Sequence, residues 1–274
     1  MHPFHRFAQL PDLRRFGHLR LLLFWPLFSL TFYALEHLRP PVYYHPMRCA
    51  LDAMIPFCRW FVIPYVFWFL FVAGMLAWTA LRDVPAFRRM MKFIILTYSF
   101  ALLTYWLFPN CQHLRPVLSG NDVLTRLVSM LYRSDTNTNV CPSIHVIGSF
   151  AVYFAARDSR MLSKPPIRLT VFILTVLISI STVFLKQHSV LDVLAGLLVA
   201  LWGFAFGLVP VAWSTWLATT VPDEAESAGG LLVASIQLAI SAGAAGGGAV
   251  FDLHGASGVF TGSGLLLLSS MVIV

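Results

Sequence analysis

Long apolar stretches, separated by short polar and basic segments, dominate the pattern of hydrophobic and polar positions along the chain. A transmembrane helix needs about 20 mostly apolar residues, and roughly 17 to 25 are tolerated. The sequence offers eight such stretches, at about residues 21–37, 61–81, 93–109, 141–156, 169–185, 190–210, 229–251 and 256–274. The pattern therefore predicts an all-α polytopic membrane protein.

The composition supports this interpretation. Of the 274 residues, 58% are hydrophobic and only 11% are charged, far from the roughly 25% charged residues of an average soluble domain. A soluble fold and a nucleic-acid partner are thereby excluded, although the formal net charge is +7. The first twenty residues are basic and precede an apolar run, but no small-x-small cleavage site follows it, so we expect a retained first span and no signal peptide.

Lysine and arginine are concentrated in three segments between the predicted spans. Twelve of the nineteen lie before the first span, between the second and third, or between the fourth and fifth. The positive-inside rule assigns these segments to the cytoplasm. We therefore expect a protein of the cytoplasmic (inner) membrane with a cytoplasmic N-terminus, and segments 38–60, 110–140 and 186–189 on the outer side. The four cysteines lie in or near these outer segments, where free thiols and a bridge such as Cys111–Cys141 are both permitted.

The chain changes character near residue 200. No Lys or Arg follows Lys186, and twelve of the seventeen glycines come after Trp202. Small residues let helices pack closely in lipid. We therefore predict two domains, residues 1–205 and 206–274, joined between about Ala200 and Gly207.

Two polar motifs are associated with the second outer segment, residues 110–140. The first lies within the segment and contains an arginine, and the second follows the segment and is typical of a helix start. Arg115, in a Leu-Arg-Pro sequence, can hold phosphate oxygens in a bidentate manner, although most loop arginines are only solvated. In the Cys-Pro-Ser-Ile-His sequence that ends at His145, the Pro and Ser143 are typical of a helix start, where free backbone N–H groups favour an anion. His145 is then placed to protonate a bound group. The simpler alternative is a helix cap with an interfacial histidine.

His188 and Asp192 form a third motif at the start of the sixth span. A spacing of four puts both side chains on one helix face. The carboxylate can accept the proton of one imidazole nitrogen and leave the other nitrogen as an unprotonated nucleophile. The alternative is a plain polar pair at a helix end. Asp192 favours the chemical interpretation, because a carboxylate about one turn inside an apolar run needs a partner.

All three motifs fall on the same predicted side, although charge placement alone determined that topology. An anion clamp, a proton donor and a paired nucleophile are the groups that phosphoryl transfer from a lipid headgroup requires. The nine histidines show no His-x3-His or Glu-x2-His spacing and no accompanying carboxylate cluster. We therefore expect neither a metal nor a cofactor.

At these motifs the chain resembles the type 2 phosphatidate phosphatase superfamily, which is related to vanadium haloperoxidases and inositol phosphorylceramide synthases, over about residues 20–200. The matching positions are Arg115-Pro116, Pro142-Ser143-Ile144-His145, Ser181-Thr182, His188 and Asp192. The resemblance implies a six-helix bundle without a metal and a lipid phosphate or diphosphate as substrate. It also implies that His188 attacks phosphorus, Asp192 orients it, His145 protonates the leaving alkoxide, and Arg115 with Ser143 binds the phosphate.

Three positions depart from the family pattern. Phe108 stands where a Lys is expected, Ile144 replaces a Gly, and Thr182 replaces the second phosphate-binding Arg. Lys186 offers a substitute cation for phosphate binding, as does His113. The incomplete clamp leaves three alternatives open: a lipid phosphatase, a lipid phosphotransferase of the inositol phosphorylceramide synthase type, and a catalytically inactive membrane protein.

Residues from about 201 onward resemble the last helices of a sugar-efflux transporter of the major facilitator superfamily. The resemblance rests on the segment 201–216 and on the glycine-rich helix that ends near Asp252. Such transporters need two six-helix halves around a central path. We therefore expect this segment to transport nothing by itself and to form a C-terminal transmembrane hairpin, a fusion remnant added to the six-helix bundle.

Overall fold

The computed structural model describes residues 13–162 and 164–273, and most of them are helical. The expected all-α fold is confirmed. Its helices are a 3-10 helix Leu13–Leu23, α1 Phe24–His37, α2 Ala50–Met54, a 3-10 turn Arg59–Phe61, α3 Val62–Arg82, α4 Val84–Leu107, α5 Val123–Ser134, α6 Ile144–Asp158, α7 Pro165–Phe184, α8 Val190–Thr220, a 3-10 turn Pro222–Glu224 and α9 Ala225–Ile273. Two short strands, β1 His45–Pro46 and β2 Asn110–Cys111, pair in parallel.

Six helical segments among the described residues are long and apolar enough to cross a membrane. They are Phe16–His37, Arg59–Arg82, Val84–Leu107, Pro165–Phe184, Val190–Thr220 and Pro222–Gly255. The span expected at 141–156 instead forms the 15-residue α6, which begins only at Ile144. It is shorter than the roughly 17 to 25 residues that a membrane-spanning helix needs. The stretch expected at 256–274 lies, as far as it is described, in the last part of α9, beyond a break at Gly255 with φ 64°.

The connection between α3 and α4 is much shorter than the basic loop expected there. A single residue, Asp83, separates Arg82 at the end of α3 from Val84 at the start of α4. The Asp83 carboxylate accepts the backbone N–H of Ala86 at 3.1 Å, and Pro85 occupies the first turn, where no N–H is needed. Of the basic residues expected in a loop, Arg82 therefore ends α3, and Arg88, Arg89 and Lys92 lie on the first three turns of α4.

The centre of the bundle is α6, which packs against α3, α4 and α7. Glycines permit the closest of these contacts. A β-carbon at Gly148 would lie 2.5 Å from the Tyr98 hydroxyl and 3.0 Å from the Trp68 ring, and one at Gly196 of α8 would lie 2.9 Å from the Ser143 carbonyl oxygen. The start of α6 is therefore enclosed by helices on several sides.

The three segments expected on the outer side meet at one end of the bundle. The first pairs with the second through β1 and β2, and the Cys58 N–H donates to the Phe184 carbonyl at 3.0 Å, which joins the first segment to the end of α7. The segments rich in Lys and Arg meet at another place, where Arg89 near the start of α4 pairs with Asp158 at the end of α6 at 3.0 Å. The grouping of the loops thus agrees with the charge pattern, while the membrane side that each end faces stays a prediction.

The chain divides into two compact units, with the boundary between Gly207 and Leu208. The first unit contains the helices up to α7, the first part of α8 and a buried core that includes Phe87, Met91 and Ile147. In the second unit, most side chains of described burial are exposed. That the second unit is a transporter-like domain, as expected for 206–274, stays a prediction.

Candidate active site

The turn between α7 and α8 determines the position of His188. The backbone N–H groups of Gln187 and His188 both donate to the Thr182 carbonyl, at 3.0 and 3.2 Å. Lys186 has φ 54°, a left-handed conformation that is uncommon for residues other than glycine. The chain reverses its direction here and continues into α8. His188 therefore lies in the turn between α7 and α8, and backbone hydrogen bonds fix the conformation of this turn.

The structure brings His188 and Asp192 together. Nδ1 of His188 lies 3.4 Å from Oδ2 of Asp192, and the two side chains are 8% and 0% exposed. Oδ2 also accepts the Ser189 N–H at 2.8 Å. A separation of 3.4 Å is slightly longer than an ordinary N–H···O hydrogen bond, so the pair needs only a small adjustment for Asp192 to hold the Nδ1 proton. In that state Nε2 of His188 is the free nucleophilic nitrogen.

The second motif is joined directly to the third. Ser143 is the N-cap residue of α6, but its hydroxyl makes no capping hydrogen bond, and Oγ is buried without a partner. The Ser143 N–H instead donates to the Asp192 carbonyl at 3.1 Å. The start of α6 and the first turn of α8 therefore share a backbone contact, and the helix-cap alternative for Ser143 does not describe its side chain.

The two imidazoles lie side by side. The ring centroids of His145 and His188 are 5.6 Å apart, with an interplanar angle of 64°. Tyr65 and Trp68 of α3 pack on His145 at centroid distances of 4.5 and 4.4 Å. Both histidines are buried. Rings at this separation can contact one small tetrahedral anion together.

Polar atoms without partners are concentrated around these rings. Among the described residues, ten buried side-chain nitrogen and oxygen atoms lack a hydrogen-bond partner, and five of them belong to the two histidine motifs and to Gln187, the residue directly before His188. They are Ser143 Oγ, His145 Nδ1, Gln187 Oε1, His188 Nδ1 and Asp192 Oδ1. Buried polar groups in folded proteins are nearly always paired. Such a cluster therefore indicates a site built for a polar ligand.

Arg115 makes its contacts with backbone carbonyls. Its Nη1 donates to Tyr132 at 3.0 Å, and its Nη2 donates to Asp135 and Thr136 at 3.0 and 2.8 Å. The guanidinium also lies 4.7 Å from the centre of the Tyr132 ring. Burial lowers the pKa of Arg115. Only Nε is buried without a partner, so Arg115 holds the end of α5 here, and its role in phosphate binding stays a prediction.

Lys186 points into a different part of the loop region. Its ammonium group donates to the carbonyls of Asp52, at 2.7 Å, and Ile55. It also lines a cavity of about 750 Å³, together with Arg48 and His113. An ammonium has three donors, so one remains for a ligand on that side. The proposed clamp role of Lys186 likewise stays a prediction.

The two positions at which the family pattern has a Lys and an Arg, Phe108 and Thr182, supply no cation here. Phe108 ends α4 and stacks on His45 with ring centroids 4.2 Å apart. The Thr182 hydroxyl donates to the Ser179 carbonyl at 2.8 Å. Both side chains act within the scaffold, so any cation at the site has to come from other residues.

A second carboxylate, which the sequence analysis missed, lies beside the histidines. Oδ2 of Asp135 accepts hydrogen bonds from the Tyr65 hydroxyl at 3.0 Å and from Nε2 of Gln187 at 3.1 Å. Burial raises the pKa of Asp135, and the nearby His188 opposes that shift. The sequence signal was only a polar run before the second motif, which does not distinguish Asp135 from its neighbours.

Asp52 is a further buried acid that sequence reasoning missed. Its carboxylate accepts the Ser189 hydroxyl at 2.7 Å and the backbone N–H groups of Val190 at 2.8 Å and Cys49 at 2.7 Å. Burial raises its pKa, but these hydrogen bonds outweigh burial and the pKa is lowered. An ionised Asp52 thus caps the positive end of α8 and fixes the turn that carries His188.

Cysteines and metal ligands add little at this end of the bundle. All four cysteines are free thiols. Within the part of the chain that the structure describes, no three His, Cys, Asp or Glu side chains are grouped so that they could hold a metal ion.

Comparison with known proteins gives two kinds of similarity. The chain is similar to proteins named purine ribonucleoside efflux pump NepI: the one from Salmonella paratyphi B is 39% identical over 127 residues, which is 46% of this chain and 30% of that pump, and the one from Salmonella enteritidis is 38% identical over the same shares. The chain thus spans 30% of the length of these curated relatives. No solved structure matches.

A family model described as the PAP2 superfamily matches residues 43–206, which is more than half of the chain and includes both histidine motifs. The chain therefore belongs to the PAP2 superfamily.

Proposed function

We propose that this chain is an integral membrane enzyme that hydrolyses a lipid phosphate or diphosphate through a phosphohistidine at His188. The observation that carries the proposal is the pair of buried imidazoles, His145 and His188, with ring centroids 5.6 Å apart. Asp192 lies 3.4 Å from the second ring. Membership of the PAP2 superfamily supports phosphatase chemistry. The site is proposed to face the extracytoplasmic side of the inner membrane.

In the first step, Nε2 of His188 attacks the phosphorus atom while Asp192 holds the Nδ1 proton. The phosphorus–oxygen bond to the lipid breaks, and His145 donates its proton to the leaving alkoxide. In the second step, a water molecule gives a proton to His145 and attacks the phosphohistidine, and the phosphorus–nitrogen bond breaks. Inorganic phosphate leaves, and both histidines return to their starting protonation states.

The start of α6 is proposed to hold the phosphate. The first N–H groups of a helix have no partners within it and favour an anion. The Ser143 hydroxyl, buried without a partner, adds a donor at the same point. Lys186 contributes its remaining donor if the phosphate reaches its cavity, and Arg115 contributes only by exchanging its contacts with carbonyls for contacts with the ligand.

The trapped intermediate tests this proposal most directly. The purified full chain in lipid nanodiscs is mixed with labelled phosphatidate or isoprenyl diphosphate, quenched in alkali and digested for mass spectrometry. We expect one phosphorylated residue, His188, and no label in His188→Ala. His37→Ala is the matched control, because His37 is an exposed histidine at the end of α1. A label on another residue, or equal turnover by His188→Ala, would contradict the proposal.

Headgroup transfer differs from hydrolysis only in the second step. If a lipid or inositol hydroxyl replaces water, the same phosphohistidine yields a phosphotransferase. Adding an alcohol acceptor to the turnover assay separates the two reactions, because a transferase forms a new phosphodiester or phosphate ester and a hydrolase releases phosphate. The absence of a cation at Phe108 and Thr182 also leaves an inactive protein as the third outcome, in which the wild-type chain forms no phosphoenzyme.

Export of purine nucleosides is the second candidate function. It is favoured by the similarity to proteins named as purine ribonucleoside efflux pumps, of which this chain spans 30%. Proteoliposomes loaded with labelled purine nucleosides test it. We expect no efflux above that of nucleoside-loaded vesicles that contain no protein. Efflux that persists in His188→Ala would favour transport over the phosphatase proposal.

A further inference from the structure

A small cavity lies between α1 and the end of α5, and its volume is about 290 Å³. Aromatic side chains of α1 line it together with Glu36, and Ser134, Asp135 and Thr136 line it from the end of α5. Neither Lys nor Arg is among its lining residues. Because the cavity lies at the end of α1 that leads into the first outer segment, we expect water to reach it.

Asp135 connects this cavity with the histidine site. It lines the cavity, and its Oδ2 accepts a hydrogen bond at 3.1 Å from Nε2 of Gln187, the residue directly before His188. The His188 imidazole is near enough to oppose the effect of burial on the pKa of Asp135. Asp192 holds His188 through other contacts, since its Oδ2 accepts the Ser189 N–H. Asp135 is therefore a second carboxylate at His188 that the phosphoryl-transfer steps described above do not use.

The polar atoms that stay free on this side are acceptors. Both side-chain donors to Asp135, Tyr65 and Gln187, use Oδ2. Within the described residues Oδ1 accepts no hydrogen bond, and it is not among the buried unpaired atoms, so it stays accessible. Because Nε2 of Gln187 faces a carboxylate, its free atom is the acceptor Oε1, which is buried without a partner.

A ligand that binds these acceptors has to donate hydrogen bonds. Water does so, whereas an ionised phosphate offers acceptor oxygens and would also meet the carboxylates of Asp135 and Glu36. Like charges at short range repel each other, and they do so more strongly in a partly buried site than in water. The chemistry of this side therefore favours the nucleophile of the second step over the phosphate of the first.

We propose that Asp135, with Gln187, binds and orients the water molecule that attacks the phosphohistidine. The inference rests on the proposed function, since it assigns the position of the second substrate in that reaction. Water has two hydrogens. One leaves as the proton that His145 accepts while the phosphorus–oxygen bond forms and the phosphorus–nitrogen bond breaks, and the other stays on the oxygen and is donated to Oδ1 of Asp135. The lone pair of the oxygen is thereby directed at phosphorus, and the proton balance of the reaction is unchanged.

Asp135→Asn tests this role with little change in shape. Tyr65 and Gln187 both donate to Oδ2, so the new amide has to place its oxygen there. Its NH2 group then takes the position of Oδ1, where it is a donor and cannot accept from water. The variant therefore keeps the contacts of the scaffold and loses the acceptor for water.

Rapid quenching separates the two steps. The full chain in nanodiscs is mixed with labelled phosphatidate or isoprenyl diphosphate, whichever labels His188, and the formation and breakdown of the phosphoenzyme are followed. Asp135→Asn should form it at the wild-type rate and lose it roughly 10²-fold more slowly, the cost of a misplaced reacting group. Asp122→Asn is the matched control, because Asp122 caps α5 in the same outer segment, and it should behave as the wild type. Unchanged breakdown, or equal slowing of both steps, would overturn the inference.

Methanol gives a readout that a merely structural role would not move. Its hydroxyl has a single hydrogen, which His145 takes, so methanol has none left for Asp135. In mixtures of water and methanol the phosphoenzyme yields phosphate and methyl phosphate. Asp135→Asn should raise the ratio of methyl phosphate to phosphate roughly tenfold or more, because hydrolysis loses its orienting contact and methanolysis does not. A ratio equal to that of the wild type would refute the orientation of water by Asp135.

Failure of the inference and failure of the proposed function give different results. If the wild type forms no phosphoenzyme, the proposed function is wrong and the inference falls with it. If the wild type forms one and Asp135→Asn shows the wild-type breakdown rate and product ratio, the inference alone is wrong. Should Asp135→Asn not fold, Gln187→Met removes the second acceptor, Oε1, and should slow breakdown several-fold with formation unchanged. Wild-type breakdown in that folded variant would likewise overturn the inference.

Discussion

The histidine pocket and the cation-bearing loops differ in how their polar atoms are paired. In the pocket, Ser143 Oγ and His145 Nδ1 are buried without partners. In the loops, Arg115 and Lys186 donate to backbone carbonyls of the chain itself. Since buried polar groups are normally paired, the unpaired atoms indicate groups that face a ligand, and the paired cations indicate groups that hold the scaffold. Substitutions should therefore affect chemistry in the pocket and stability in the loops.

The largest effect is expected for Asp192→Asn. The amide cannot hold a proton on Nδ1 of His188 as the carboxylate does, so the imidazole takes the wrong tautomer and loses its nucleophilic nitrogen. A loss on the order of 10⁴ in kcat is typical for such a change. Phosphate release from a lipid phosphate measures it. Asp158→Asn, which changes an exposed carboxylate paired with Arg89 at the other end of the bundle, is the control and should keep its activity. Wild-type turnover by Asp192→Asn would refute the paired-nucleophile model.

A smaller and more diagnostic effect is expected for His145→Gln. General acid catalysis contributes about 10² to 10⁴ in rate, and the contribution shrinks when the leaving group needs no proton. The variant should therefore lose activity towards an alkyl phosphate and recover most of it with nitrophenyl phosphate. An equal loss with both substrates would mean that His145 acts in another way, for example by packing on Tyr65 and Trp68.

Ser143→Ala should lower kcat by about 10² if the hydroxyl donates to the phosphate in the transition state. The change removes one unpartnered oxygen and breaks no hydrogen bond of the folded chain, so thermal stability should be unchanged. Ser149→Ala is the matched control on the same helix, since the Ser149 hydroxyl is paired with the His145 carbonyl at 2.7 Å. A stability loss without a rate loss would mean that Ser143 is structural after all.

The opposite result is expected for Arg115→Ala. It removes three hydrogen bonds to carbonyls at the end of α5, each worth about 1 kcal/mol net and more for a charged donor. The melting temperature should fall by several degrees, whereas the phosphoenzyme should still form at His188. If phosphate affinity is lost while the melting temperature is unchanged, Arg115 belongs to the clamp as the family resemblance implies.

Local sequence patterns predicted the features that depend on neighbouring residues. Apolar runs of sufficient length gave most of the helices. The spacing of four correctly brought His188 near Asp192, but the expected shared helix face is wrong for His188, which lies in the turn before α8 begins at Val190. Asp83 shows where such patterns fail: charge at the start of α4 was interpreted as a loop, but a carboxylate cap and Pro85 begin a helix there. Basic residues on a helix end are compatible with a membrane protein because that end can extend beyond the hydrocarbon core.

Features that depend on distant residues were not predictable from one sequence. Asp52 lies 137 positions before its partner Ser189, and nothing around it marks it as the cap of α8. Asp135 lies in a polar run and is distinguished only by the folded contacts with Tyr65 and Gln187. The pairing of Arg115 with carbonyls was hidden for the same reason, because a motif specifies a residue type and not the partner that the fold provides.

The smallest expected effect is a pH dependence of stability at Asp135. Burial raises its pKa, against the opposing influence of His188, Tyr65 and Arg115. A carboxyl whose pKa is raised on folding binds its proton more tightly in the folded state, so stability falls as pH rises from the ordinary Asp value near 3.8 through the folded value. Asp135→Asn removes this loss. Its melting temperature relative to the wild type should therefore increase with pH across the acidic range and then level off. A difference that decreases as pH rises would show that the ionised form of Asp135 is the favoured one in the fold, and that this carboxylate belongs with Asp52 among the stabilising acids.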